Sequence, residues 1–143
     1  MQNAKQEAMA RRVAISVDGD SLVALDDLSN RYAVSRSEMS RKIIGNCATS
    51  IGQARLLQFC RDNGAQIEFK GLSHIVTFRW SSEVDESLTE VSKILWPSFK
   101  SANKSETFRM MVMLCAVEEN VVKLEPIRRL GVRRVAPVPI GSD

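Results

Sequence analysis

The chain is short of the residues that most catalytic and metal sites are made from. It has one histidine, His74, and three cysteines, Cys47, Cys60 and Cys115. None of the cysteines is spaced as zinc ligands are, and an odd number cannot close a complete disulfide framework. The three thiols are expected to be small buried hydrophobes in a reducing compartment. The seven glycines are scattered, and none builds a loop that cradles phosphate. No nucleophile signature surrounds any serine or cysteine. Enzymatic activity, a metal and a cofactor are therefore not expected, and His74 is expected to be structural. No apolar run reaches the roughly 18 residues that a membrane span needs. Residues 1–12 are polar and lack an apolar signal core, so the expected location is cytoplasmic. A large excess of charge of one sign is lacking too: 20 basic against 17 acidic residues leave a net charge of +3 and a pI near 8.9, which permits a nucleic-acid partner without demanding one. What remains is ordinary: 143 residues with 44% apolar content, enough for one or two small domains with a core.

What the chain does have is a pattern written twice. Arg12-Val13-Ala14-Ile15-Ser16-Val17 alternates with the two-residue period of a half-buried strand. A helix from about Asp20 to Ala33 follows, with the apolar stripe Leu22, Leu25, Leu28 and Tyr32. Asp18 or Asp20 is available to cap it. A second helix opens at Ser35-Arg36-Ser37-Glu38, a Ser-x-x-Glu capping box, and carries Met39, Ile43, Ile44 and Cys47. The same order returns with Val76-Thr77-Phe78-Arg79-Trp80, a helix with the stripe Val84, Leu88, Val91 and Leu95, and a last helix opening at Asn103-Lys104-Ser105-Glu106. With a shift of 68 residues Ser37 falls on Ser105, Glu38 on Glu106, Arg41 on Arg109 and Cys47 on Cys115. With a shift of 63, Leu25 falls on Leu88 and Ser29 on Ser92. The two shifts differ because the second turn, around Pro97-Ser98-Phe99-Lys100, is longer. One indel in a loop is what two copies of one supersecondary unit show.

The remaining stretches are read as connections. Residues 1–10 form a loose arm. Residues 11–49 are the first unit. Residues 50–73 hold an extra helix, about 51–62, and a linker with an alternating stretch at Gln66-Ile67-Glu68-Phe69. Gly45, Ser50 and Gly52 are expected to weaken the helix after Ile44. Residues 74–120 are the second unit, and its last helix is apolar almost all round, which predicts burial on several sides. Residues 121–143 make a flexible basic tail with Lys123, Arg128, Arg129, Arg133 and Arg134.

Strand, helix, a turn beginning Ser-Arg-Ser or Asn-Lys-Ser, and a second helix together resemble the ribbon-helix-helix family of DNA-binding proteins, the Arc and MetJ type. The stretch Thr77-Phe78-Arg79-Trp80-Ser81-Ser82-Glu83-Val84 carries the likeness best. The resemblance covers residues 11–48 and 74–117. Two such units in one chain are similar in layout to the TraY proteins of conjugative plasmids. Family members pair one strand from each of two subunits, whereas this chain holds both strands. A lone strand leaves its backbone donors and acceptors without partners, and a two-stranded ribbon needs helices beneath it. The expected fold is thus mainly α, with a two-stranded antiparallel β-ribbon on a four-helix base: tandem ribbon-helix-helix units folded as an intramolecular pseudo-dimer. Val13, Ile15, Val17, Val76, Phe78 and Trp80 then point into the base. Burial of each stabilises by roughly 1.5–3 kcal/mol, and that face sets the register.

The resemblance implies a double-stranded DNA partner, read in the major groove by the ribbon's other face: Arg12, Ala14, Ser16, Ile75, Thr77 and Arg79. The two triplets differ, so the expected site is non-palindromic. The second-helix N-termini, with Ser35, Arg36, Ser37, Asn103, Lys104 and Ser105, are the expected phosphate contacts. Each has a plainer role beside it: Ser35 and Asn103 as helix caps, Arg36 and Lys104 as solvated charges, the strand face as a wet ribbon surface. The implied role is a transcriptional repressor or regulator, or an accessory factor at a conjugative origin of transfer. The alternative is a protein-interaction module, adaptor or antitoxin-like, that keeps the fold without DNA binding; Ala14 and Ile75 are unusual readers and favour it. A second copy on DNA, or a protein held by the tail or the extra helix, are further expected partners.

Overall fold

A computed structural model describes residues 11–63, 73–96 and 104–121. The expected arm at 1–10, the alternating stretch at 66–69, the turn at 97–100, Asn103 and the tail from 122 lie outside these residues. Two strands, β1 (Arg11–Asp18) and β2 (Ser73–Trp80), form one two-stranded sheet. Five helices complete the described fold: α1 (Gly19–Tyr32), α2 (Arg36–Ala48), α3 (Ser50–Asn63), α4 (Ser82–Leu95) and α5 (Lys104–Glu118). The fold is mainly helical, as the periodicity predicts.

The strands pair antiparallel across 54 intervening residues, with Arg12 opposite Arg79, Ala14 opposite Thr77, and Ser16 opposite Ile75. The apolar alternation explains which face this register buries. Ile15, Val17, Val76, Phe78 and Trp80 are all buried, and Val13 packs partly against the same core. A slip of one residue would turn all of them to water. Beneath the ribbon, Phe78 and Trp80 stack with centroids 5.0 Å apart, and Phe108 of α5 leans on both, at 5.3 and 5.9 Å. The expected burial of α5 on several sides is observed: Phe108, Met110, Met111, Val112, Met113, Leu114 and Ala116 all lie in the core. It touches α1, α2, α3, α4 and β1.

Polar atoms inside this core have defined partners. Ser29 Oγ donates to the Leu25 carbonyl (2.9 Å) and Ser92 Oγ to the Leu88 carbonyl (2.8 Å). These are the two serine–leucine pairs that the 63-residue shift superimposes. The Trp80 indole donates to Ser40 Oγ at 2.7 Å, and that hydroxyl donates on to the Ser37 carbonyl. Ser40→Ala leaves the buried indole N–H without an acceptor. It is expected to cost about 1–3 kcal/mol, read as a lower urea midpoint with an unchanged slope.

Several expectations need correction. Tyr32 ends the α1 stripe on the surface, 46% exposed, because its phenol reaches Glu119 at 2.7 Å. Asp18 occupies the N-cap of α1, yet its side chain makes no capping bond. The turn after α1 is closed instead at its far end, where Ala33 takes the left-handed conformation (φ 57°) and Val34 N–H bonds back to the Ser29 carbonyl. Helix α2 does not weaken after Ile44 but continues through Gly45 to Ala48. Gly52 is an asset of α3, for it sits against the last turn of α2, where a Cβ would lie 1.9 Å from the Asn46 carbonyl oxygen. Thr49 Oγ1 caps α3 by accepting from Gly52 N–H (2.9 Å), and Leu56 and Phe59 bury the helix against the core. Leu57 and Cys60 of the same helix are only half-buried. Cys47 is buried, and Cys115 is half-buried beside it. Hydrogen bonding with Cys115, together with burial, holds the Cys47 thiol far above its usual range, and burial pushes Cys60 up to about 11. Both therefore keep their protons at neutral pH, as small apolar core groups do.

Candidate nucleic-acid interface

The alternation that buries one face of the ribbon frees the other. Arg12, Ala14, Thr77 and Arg79 are exposed, Ile75 is 74% exposed, and Ser16 is half-buried. All six expected readers thus lie on a single two-stranded surface about as wide as two strands, roughly 5 Å between axes. Thr77 and Ala14 sit opposite each other at its centre, with Arg12 and Arg79 paired at one end and Ser16 and Ile75 at the other.

What holds this surface in place was only half legible. Ser37 Oγ accepts the Arg79 backbone N–H at 3.1 Å, and Arg41 Nη1 donates to the Arg79 carbonyl at 2.9 Å. On the other strand, Ser105 Oγ accepts the Ser16 N–H at 3.3 Å, and Arg109 Nε donates to the Ser16 carbonyl at 3.2 Å. One serine and one arginine, four residues apart on a second helix, thus clip the outer edge of each strand. Ser37 and Ser105, expected on phosphate, each spend an acceptor site on a strand instead. Arg41 and Arg109 were missed as site residues. Their signal was in view: the same Ser-x-x-x-Arg spacing stands in both copies of the repeat.

The clips also define the geometry of the face. In an antiparallel pair, a residue whose N–H and C=O both point away from the partner strand belongs to a non-hydrogen-bonded pair. Ser16 and Arg79 are such residues. The 12/79, 14/77 and 16/75 pairs, all on this face, are then the narrow ones, with Cα atoms about 4.5 Å apart and side chains close together.

The helix N-termini lie beside this ribbon. Ser35 Oγ caps α2 by accepting from Glu38 N–H at 3.1 Å. Arg36 donates from Nε and Nη2 to the two Asp26 oxygens at 2.6 and 3.0 Å, and hydrogen bonding to that carboxylate raises its already high pKa. Lys104 Nζ lies 2.9 Å from Asp85 Oδ1. Neither aspartate was expected to matter. Both expected phosphate cations thus rest on carboxylates of the preceding helix. His74 is exposed on β2, and among the described residues no group of three or more metal-binding side chains gathers. Also among the described residues, no helix is long and apolar enough to cross a membrane. No protein-family model, curated protein or solved structure matches the chain.

Proposed function

We propose that the chain is a double-stranded DNA-binding protein, a tandem ribbon-helix-helix pseudo-dimer that reads the major groove with its β-ribbon and acts as a regulator of transcription or as an accessory factor at an origin of transfer. One observation carries the reading. The two strands form a ribbon whose open face holds Arg12, Ser16, Thr77 and Arg79, while every alternate side chain from Ile15 to Val17 and from Val76 to Trp80 is buried. A two-stranded ribbon fits the major groove. Arg offers a bidentate donor pair to guanine, Thr and Ser offer hydroxyls, and Ala14, Ile75 and the Thr77 methyl offer apolar contact to thymine. The matched Ser37/Arg41 and Ser105/Arg109 clips support the pseudo-dimer, because they brace strand positions related by the repeat. The ion pairs of Arg36 and Lys104 are partly exposed. Such pairs contribute about 0–1 kcal/mol, so a phosphate can replace the carboxylate at little cost.

The expected result is saturable binding of labelled duplex whose log K falls linearly with log salt concentration. Thr77→Ala with Arg79→Ala relaxes base preference by about 1–3 kcal/mol for the Arg–base pair lost, measured by competition among duplexes differing at single positions. Full retention of preference in that variant sinks the assignment of the readers. A second reading, a protein-interaction module, is favoured by the bare Ile75 side chain at the ribbon face. It predicts no saturable binding of any duplex.

A further inference from the structure

We propose that the ribbon seats on its duplex with a defined polarity: the Arg12–Arg79 end, reinforced by Arg41, takes a guanine-containing half-site, and the Ser16–Ile75 end takes a thymine-containing half-site. This rests on the DNA-binding reading above and assigns its two halves.

The register places two guanidinium side chains directly opposite each other on one face, at a narrow pair. Like charges at such positions destabilise a sheet. Nothing in the described fold offsets this, because no ion pair joins Arg12 or Arg79 to a carboxylate among the described residues. Arg41 adds a third cation, bound through Nη1 to the Arg79 carbonyl. It too has no carboxylate partner among the described residues, although Glu38 stands three residues before it on the same helix. An anion is what this end lacks, and the edges of guanine, with two acceptors in the major groove, lie between phosphates that supply one.

The opposite end is built from the same repeat but has lost this character. There the position equivalent to Arg41 is Arg109, which lies 3.1 Å from Glu106 Oε1 and is largely buried, with 12% of its side chain exposed. Its charge is neutralised within the protein. The cross-strand pair is Ser16 with Ile75, and Ile75 has no polar atom to offer a base. Placed on guanine it would cover two acceptors without satisfying them, a costly arrangement. Placed on thymine it meets the C5 methyl. The repeat thus has one cationic and one apolar end, fixed to each other by the clips on Arg79 and Ser16.

The test is selection of bound duplexes from a random pool at one chain per duplex, using the full-length protein and then Arg12→Lys/Arg79→Lys and Ile75→Ala. The wild type is expected to select a non-palindromic site with guanine in one half and thymine in the other. The double lysine variant keeps its charge and its salt dependence but loses the guanidinium fork. It should lose roughly tenfold or more of the guanine preference, and only in that half. Replacing thymine by uracil in the other half should weaken the wild type severalfold and leave Ile75→Ala unaffected. Arg12→Ala/Arg79→Ala, at two exposed positions, gives the same base readout if the lysine variant misfolds. A palindromic site, or loss of guanine preference in both halves or in neither, overturns the polarity while leaving DNA binding intact. Absence of saturable binding by the wild type, or capture of single-stranded nucleic acid alone, overturns the underlying reading as well.

Discussion

Trp80→Ala is expected to destabilise the protein by about 3–5 kcal/mol, close to the whole stability of a small domain. The indole is fully buried at the end of β2. It stacks on Phe78, touches Phe108 and donates to Ser40 Oγ. Its removal leaves a cavity at the point where ribbon, α2 and α5 meet, and strips the Ser40 hydroxyl of one of its two hydrogen bonds, leaving only the one it donates to the Ser37 carbonyl. The aromatic neighbours cannot collapse into the space, because Phe78 is held by the strand register and Phe108 by α5. Trp80→Phe keeps most of the apolar area and should cost clearly less. Urea unfolding followed by circular dichroism measures both. An alanine variant as stable as the wild type would show that the aromatic cluster does not hold the ribbon to its base.

Gly52→Ala is the second large effect, and it acts through contact rather than through loss of contact. The added Cβ would stand 1.9 Å from the Asn46 carbonyl oxygen and 2.8 Å from Cys47 Cα. Both are backbone atoms of α2 and cannot swing aside as a side chain does. Either the last turn of α2 breaks or α3 moves away. Overpacking of this kind costs about 1–3 kcal/mol and sometimes more, and here the upper end or beyond is expected. Undocking of α3 would also expose Leu56 and Phe59. Hydrogen exchange should show lost protection over Ser50–Asn63 first, with the ribbon protected longer. Uniform protection equal to the wild type would contradict the packing of α3 on α2.

The two effects divide the molecule into a part that the repeat foretells and a part that it does not. The ribbon was legible because alternation of period two leaves one choice of buried face, and two such strands in one chain complete each other's hydrogen bonding. The order strand, helix, helix was legible twice because capping residues and apolar stripes are local signals. The extra helix α3 was visible as a helix, but not its docking. A glycine read along the chain is a weak helix former, and only the crossing of two helix backbones turns it into a requirement.

The candidate site divides in the same way. The six face residues follow from parity along two strands. The Ser37/Arg41 and Ser105/Arg109 clips do not, since they join residues 42 and 89 positions apart in sequence. The same holds for the carboxylates beneath Arg36 and Lys104: opposite charges were present in the sequence, but their pairing depends on how α1 and α4 lie against the following helices.

The sequence by itself determined the types of element, their order and the buried face of each strand, because each of these depends on residue spacings within a single turn or a few pleats. Tertiary structure alone decided which strand residues stand opposite each other, which cations keep a free charge and which glycine must remain bare. Those depend on distances between segments far apart in the chain, which residue spacing within one element does not fix.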